Sequence, residues 1–269
     1  MKNVIFVLLS VFLLASCSSE ANEEPEANLS VVCEETIYNN EEVLITAAAD
    51  LPVTRVSFYF DGVNIGESIR PPYSIRFTPK DYLPGSYLLE CIAEVKGRVF
   101  RAKAPVSVVL RLGDSFQGGK VFYLEGSGEH GLIASTSDFV FNGEFGAEDG
   151  FFWGKEGLIG TTRNNGKANT ELMASNSPSL GYAGYHFRGG NYINGFSDWY
   201  IPSIEELELL RANMDLVGGF VRTGTPWQDF YWSSSESSET SAFCLNFYAL
   251  AGNTSEKSLL RKVRVIRSF

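Results

Sequence analysis

Gly195-Phe196-Ser197-Asp198-Trp199-Tyr200-Ile201-Pro202-Ser203-Ile204-Glu205-Glu206-Leu207 reads as an aromatic strand joined to a helix through one tight corner. The Ser203 hydroxyl can accept from the Glu206 backbone N–H, and the Glu206 carboxylate from the Ser203 N–H, which makes a capping box. Pro202 favours an extended approach to that cap. Behind it, Ile204, Leu207, Leu210 and Met214 recur at helical spacing and form one apolar stripe. Ahead of it, strand alternation places Trp199 and Ile201 inward and Asp198 and Tyr200 outward.

On either side of the corner stand FQGGKVFYL (116–124), HGLIA (130–134), IGTT (159–162), ANTELM (168–173), YWSSSE (231–236) and VRVIR (263–267). Lys120–Leu124 and Leu132–Ser135 read as a hairpin over a glycine turn, and a short helix is expected near Asn169–Ala174. Further strands are expected at 230–234, 242–248 and 262–268. Taken in order, these motifs resemble the C-terminal domain of a bacterial collagen-like adhesin, a member of the large family of C-type-lectin-like domains. The resemblance covers residues 113–269 and implies an α+β C-type-lectin-like domain. The adhesin relative also implies binding to sulfated or acidic glycans. Lys257, Arg261, Lys262, Arg264 and Arg267 would suit such a ligand, or would pair with acidic neighbours and face water.

The N-terminus reads as an export signal over residues 1–16, with Lys2 before an apolar run from Val4 to Ala15. Leu14-Ala15-Ser16-Cys17 resembles the lipobox of bacterial lipoproteins, which implies acylation of Cys17. Residues 17–28 form a tether carrying Glu20, Glu23, Glu24 and Glu26, with too little apolar surface to order itself. These features place the chain in the envelope of a Gram-negative bacterium, lipid-anchored to the outer membrane and displayed at the surface. The expected membrane association is through the lipid alone.

Residues 29–112 alternate as short strands: Leu29–Cys33, Val43–Ala49, Arg55–Phe60, Tyr73–Phe77, Tyr87–Val95 and Val99–Leu110. Tyr87, Leu89, Cys91, Ala93 and Val95 share one face. This spacing indicates an all-β sandwich. VSFYFDGVNIGE, PPYSIRFTP and LPGSYLLECIAEV resemble bacterial immunoglobulin-like domains, and Tyr87 fits their corner tyrosine. Cys33 and Cys91 lie in this exported domain, where a bridge could form if their Cα atoms come within about 4.4–6.8 Å. Paired and unpaired states both remain open. Cys244 reads as a buried free thiol.

The net charge of −10 over 269 residues argues against a nucleic-acid partner. Catalysis finds no support: Cys244 and His186 lack an activating arrangement, and Asp198, Glu205, Glu206 and Glu236 show no paired spacing. The two histidines, His130 and His186, are too far apart in sequence for a zinc site. No cofactor is expected. Calcium stays open through Asn191, Asn194 and Asp198, although hydrogen bonds holding that loop account for them better. Trp153, Tyr185, His186, Arg188 and Trp227 fall in glycine-flanked loops and are the candidate ligand contacts. Trp153, in FFWG, is better suited to a core under the loops, whereas Tyr185 and Trp227 fit either role. The expected function is non-catalytic recognition of a glycan or of a host or matrix glycoprotein by the C-terminal domain. The alternative is a structural role, with this domain docking on another envelope or fimbrial protein.

Overall fold

The computed structural model describes residues 28–50, 53–80, 82–95, 97–140, 150–189, 193–224, 229–249 and 251–269. Cys17, the tether through residue 27, Asn191 and Trp227 lie outside them. The chain divides into two compact units, with the boundary between Leu110 and Arg111.

In the first unit, period-two alternation produces eight strands. They are β1 Leu29–Val32, β2 Thr36–Tyr38, β3 Val43–Ala49, β4 Val56–Phe60, β5 Val63–Ser68, β6 Tyr73–Phe77, β7 Gly85–Val95 and β8 Arg98–Val109. They form two sheets, ordered β1-β3-β6 and β2-β8-β7-β4-β5. Ile45 and Ala47 from one sheet and Phe58, Phe60, Leu89, Cys91, Ala93, Val106 and Val108 from the other make the core. Tyr87 takes the corner role expected of it, as its hydroxyl donates to the Leu83 carbonyl at 2.9 Å and its ring stacks on Phe60. Two strands escape the sequence reading. β2 is only three residues long, and it pairs parallel to β8. β5 is a largely polar edge strand, set by the Asp61-Gly62 turn, where both residues have positive φ (49° and 79°).

Cys33 and Cys91 are not bridged; both are free thiols. The Cys91 Sγ lies 3.9 Å from the Ser30 carbonyl. It therefore faces a point three residues before Cys33, roughly 10 Å along an extended chain. Burial pushes the Cys91 thiol up to about 12 and the Cys33 thiol up to about 11, so both are poorly reactive. Cys244 is likewise a buried thiol, pushed up to about 11 by burial.

The second unit mixes short strands with helices. Its elements are β9 Ser115–Phe116, β10 Gly119–Leu124, β11 Gly131–Ala134, β12 Phe151–Phe152, α1 Gly166–Asn176, a 3-10 turn at Ala183–Phe187, α2 Ile204–Ala212 and α3 Met214–Val217. The strands β13 Phe230–Glu236, β14 Ser241–Asn246, β15 Gly252–Glu256, β16 Leu260–Arg261 and β17 Ile266–Ser268 complete it. The sheets run β17-β11-β10-β9, β12-β16 and β13-β14-β15.

The Ser203 corner forms the full capping box, with Ser203 Oγ accepting from the Glu206 N–H and Glu206 Oε2 accepting from the Ser203 N–H. The same carboxylate also accepts from the Gly166 N–H and the Tyr200 hydroxyl, so it ties the starts of α1 and α2 together. Gly166 is required there, because a Cβ would sit 2.6 Å from the Ser203 nitrogen. Ile204, Leu207, Leu210 and Met214 are all buried, as the helical stripe requires. The segment before the cap differs from the reading. It makes only isolated bridges, such as Tyr200 with Ile266, in place of a strand. Tyr200 is buried rather than outward, because its ring packs with α2 residues and its hydroxyl reaches Glu206. Trp199 is also buried and donates to the Ile193 carbonyl. Ser203→Ala should cost about 1 kcal/mol, and Trp199→Ala roughly 3–5 kcal/mol. Paired thermal melts check the ranking.

Candidate ligand-binding groove

The basic residues of the C-terminal segment are largely inside the protein. Arg264 is fully buried and Lys257, Lys262 and Arg267 nearly so. Arg267 spans the Asp198 carboxylate through two bonds of 2.7 and 2.8 Å and lies 4.1 Å from the Phe196 ring centroid. Arg264 bonds Asp138 and the carbonyls of Ser135, Gly218 and Gly219. Lys262 lies 3.8 Å from the same Asp138. Arg261, half-buried, bonds the Leu260 carbonyl and Ser255. Of the two readings of these residues, pairing with acidic neighbours is the one their contacts support, and a basic patch offered to an acidic glycan is not. A buried segment can carry arginine or lysine only where carboxylates and carbonyls satisfy it.

Lys257 has a second role. Its ammonium is 1% exposed and contacts Glu236 Oε2 at 3.0 Å and the Gly157 carbonyl at 2.7 Å, over the Trp153 ring. Its backbone N–H donates to Thr240, and its carbonyl accepts from Trp153. Glu236 in turn accepts from the backbone N–H groups of Ile159, Gly160 and Thr161. One buried residue thus pins the 153–161 segment, the Thr240 loop and the β15 end to each other.

Those three segments wall an open groove of about 610 Å³. Phe152 and Tyr182 line it with half-buried rings, 5.7 Å between centroids. Gly154, Lys155, Glu156, Thr240, Glu256 and Ser258 supply the rest of the lining. Tyr182 is held against β12 by the bond from the Phe152 N–H to the Gly181 carbonyl, 2.9 Å. The combination is partly exposed aromatic faces beside hydroxyls and carboxylates on a fixed backbone. Chemically, that can hold a flat apolar face and several hydroxyl groups at once.

Four of the five sequence-derived candidates are placed elsewhere, and Trp227 lies outside the described residues. Trp153 is 1% exposed and donates to the Ser233 carbonyl, so it is a core residue and not a ligand contact. Alternation along β12 sends its neighbour Phe152 to the groove instead. His186 is buried between Phe139 and Phe151, with its Nε2 2.7 Å from the Leu180 carbonyl, and is likewise withdrawn from ligand. Arg188 bonds the Ala174 and Ser177 carbonyls at the end of α1, and its guanidinium lies over the Tyr185 ring. These two therefore serve the α1 terminus; neither lines the groove. Asp198 is occupied by Arg267, and the Asn194 side chain donates to the Gly118 carbonyl. Among the described residues, no three or more His, Cys, Asp or Glu side chains gather as a metal site.

Titration of the buried groups gives the second unit a signed pH dependence. Burial alone would raise the Glu236 carboxyl, but Lys257 and the three backbone N–H groups outweigh it and hold the group below its ordinary range. Asp198 is lowered in the same way, the Arg267 pair overcoming burial. Burial pushes His186 below its ordinary value against the opposing bond to Leu180. In all three the folded state binds fewer protons than the unfolded one. Their stabilisation is complete above about pH 6.5. It should fall first below about 6.5, through His186, and again below about 4.5, as the carboxyls approach their folded values. Melting temperature against pH checks this, and His186→Gln should remove the first stage only.

Comparison with known proteins bears on the first unit. A family model described as Bacterial Ig domain matches residues 30–90. No curated protein matches the chain. Among solved structures, the fibronectin(III)-like modules of Clostridium thermocellum CbhA are similar at 22% identity, over 31% of this chain and 98% of that one, with a TM-score of 0.27. A CARDB domain from Pyrococcus furiosus is similar at 18% identity, over 34% and 95%, with a TM-score of 0.27. A Bacteroides uniformis beta-glucuronidase is similar at 10% identity, over 30% of this chain and 10% of that one, with a TM-score of 0.24. Residues 30–90 of the first unit thus match a bacterial immunoglobulin-like domain, and the described residues of the chain are mostly β.

Proposed function

We propose that the chain is a surface lipoprotein that recognises a glycan without catalysis. In this reading it has an acyl anchor on Cys17, an acidic tether, an immunoglobulin-like spacer and a C-type-lectin-like head. The observation that carries recognition is the groove at Phe152 and Tyr182, whose walls are fixed by the buried Lys257–Glu236 pair. A preformed site spares the ligand the entropy of ordering its walls. The lipobox supports the anchor, and no helix among the described residues is long and apolar enough to cross a membrane. The ordered motifs from FQGGKVFYL to VRVIR support the lectin-like head. A non-catalytic role is supported by the work the carboxylates already do. Glu206 closes the cap, and Asp138, Asp198 and Glu236 neutralise buried cations.

The test is a glycan and matrix-protein binding screen with the full chain and its Tyr182→Ala variant. Binding lost in the variant with its melting temperature unchanged is the expected result. Ligand binding that survives Tyr182→Ala would refute the groove. Capture of another envelope protein, with no glycan bound, would favour the assembly role instead. In cells, Cys17→Ala should release the protein from the membrane fraction; retention there would refute the anchor.

A further inference from the structure

The charges around the groove narrow the ligand further, granted that the groove is a glycan site. Two of its lining residues, Glu156 and Glu256, are acids, against one base, Lys155, and all three are exposed. The second nearby cation, Lys257, is beneath the groove, neutralised by Glu236 and shut off from solvent. Arg264, Lys262 and Arg267 are committed to Asp138 and Asp198 in the interior. A sulfated or uronic-acid chain would bring fixed negative charge against two carboxylates with one ammonium to answer it. The chain's net charge of −10 adds a repulsive long-range field.

We infer that the groove takes an uncharged pyranose glycan. Carboxylates have only acceptor sites, so Glu156 and Glu256 suit sugar hydroxyls, which donate to them in charge-assisted bonds. The Thr240 and Ser258 hydroxyls can donate or accept, matching the mixed character of a sugar edge. Phe152 and Tyr182, inclined at 50° to each other, offer ring faces for the C–H face of a sugar. None of these features rewards a negative charge.

The experiment is calorimetric titration of the full chain with maltohexaose, cellohexaose and mannohexaose on one side and heparin and polygalacturonate on the other. At least one neutral hexaose should bind, and neither polyanion should bind more tightly. Phe152→Ala and Tyr182→Ala should each weaken that hexaose by about tenfold or more. Glu256→Gln should weaken it too, with melting unchanged. If heparin or polygalacturonate binds best and Tyr182→Ala abolishes it, the neutral-glycan inference is overturned while the groove reading stands. If no probe of either kind binds, the glycan-recognition reading fails and the inference goes with it.

Discussion

Arg264→Met should lower the melting temperature of the second unit by roughly 6–20 °C. The guanidinium is fully buried and answers four acceptors: Asp138 and the carbonyls of Ser135, Gly218 and Gly219. It also lies 3.9 Å from the Phe220 ring centroid. Methionine fills much of the volume but leaves the Asp138 carboxylate without its strongest partner and three carbonyls without a donor. Removing one member of a buried ion pair costs about 3–5 kcal/mol. For a unit of this size each kcal/mol is worth about 2–4 °C. Asp138 keeps the Tyr231 hydroxyl and the nearby Lys262, which should hold the loss near the lower end. Adding Asp138→Asn should recover part of it, because the unpaired charge is then gone. A single variant that melts like wild type would show that Arg264 is not the keystone described.

Glu236→Ala should be of similar size, about 3–5 kcal/mol, and should also reach the groove. The Lys257 ammonium would retain only the Gly157 carbonyl and the Trp153 ring face. Backbone N–H groups at Ile159, Gly160 and Thr161 would lose their common acceptor. The double variant Glu236→Leu with Lys257→Met should be milder than either single change, since a buried pair replaced as a whole leaves no stranded charge. The single variant should bind glycan more weakly even below its melting temperature, because the 153–161 wall is no longer pinned. Normal binding by a destabilised Glu236→Ala protein would separate the groove from the ion pair.

Local rules made particular elements of each unit legible. The capping box at Ser203 and Glu206, the stripe from Ile204 to Met214 and the alternation around Cys91 are all set by near neighbours in sequence. Their structural counterparts match because no distant contact overrides them. What failed to show in sequence is set by tertiary neighbours. Parity alone points Tyr200 outward, but α2 covers that face and Glu206 receives its hydroxyl. Pairing of the C-terminal Lys and Arg residues with acids is one of the two readings the sequence allows, but the particular partners, Asp138, Asp198 and Glu236, lie far away along the chain and are not visible in it. Trp153 is buried, in line with the core reading of FFWG, and a one-residue step leaves Phe152 as the ring that faces the groove. The signal that could have found Phe152 was its place beside Trp153 in a short strand, once the larger ring was assigned to the core.

The most direct test of the account is a hydrogen-exchange footprint of the full chain, with and without the hexaose that binds it best. The account predicts new protection at 152–158, 239–241 and 256–258, with little change at 183–188. Protection centred on Tyr185 and Arg188, with the groove segments unchanged, would contradict it.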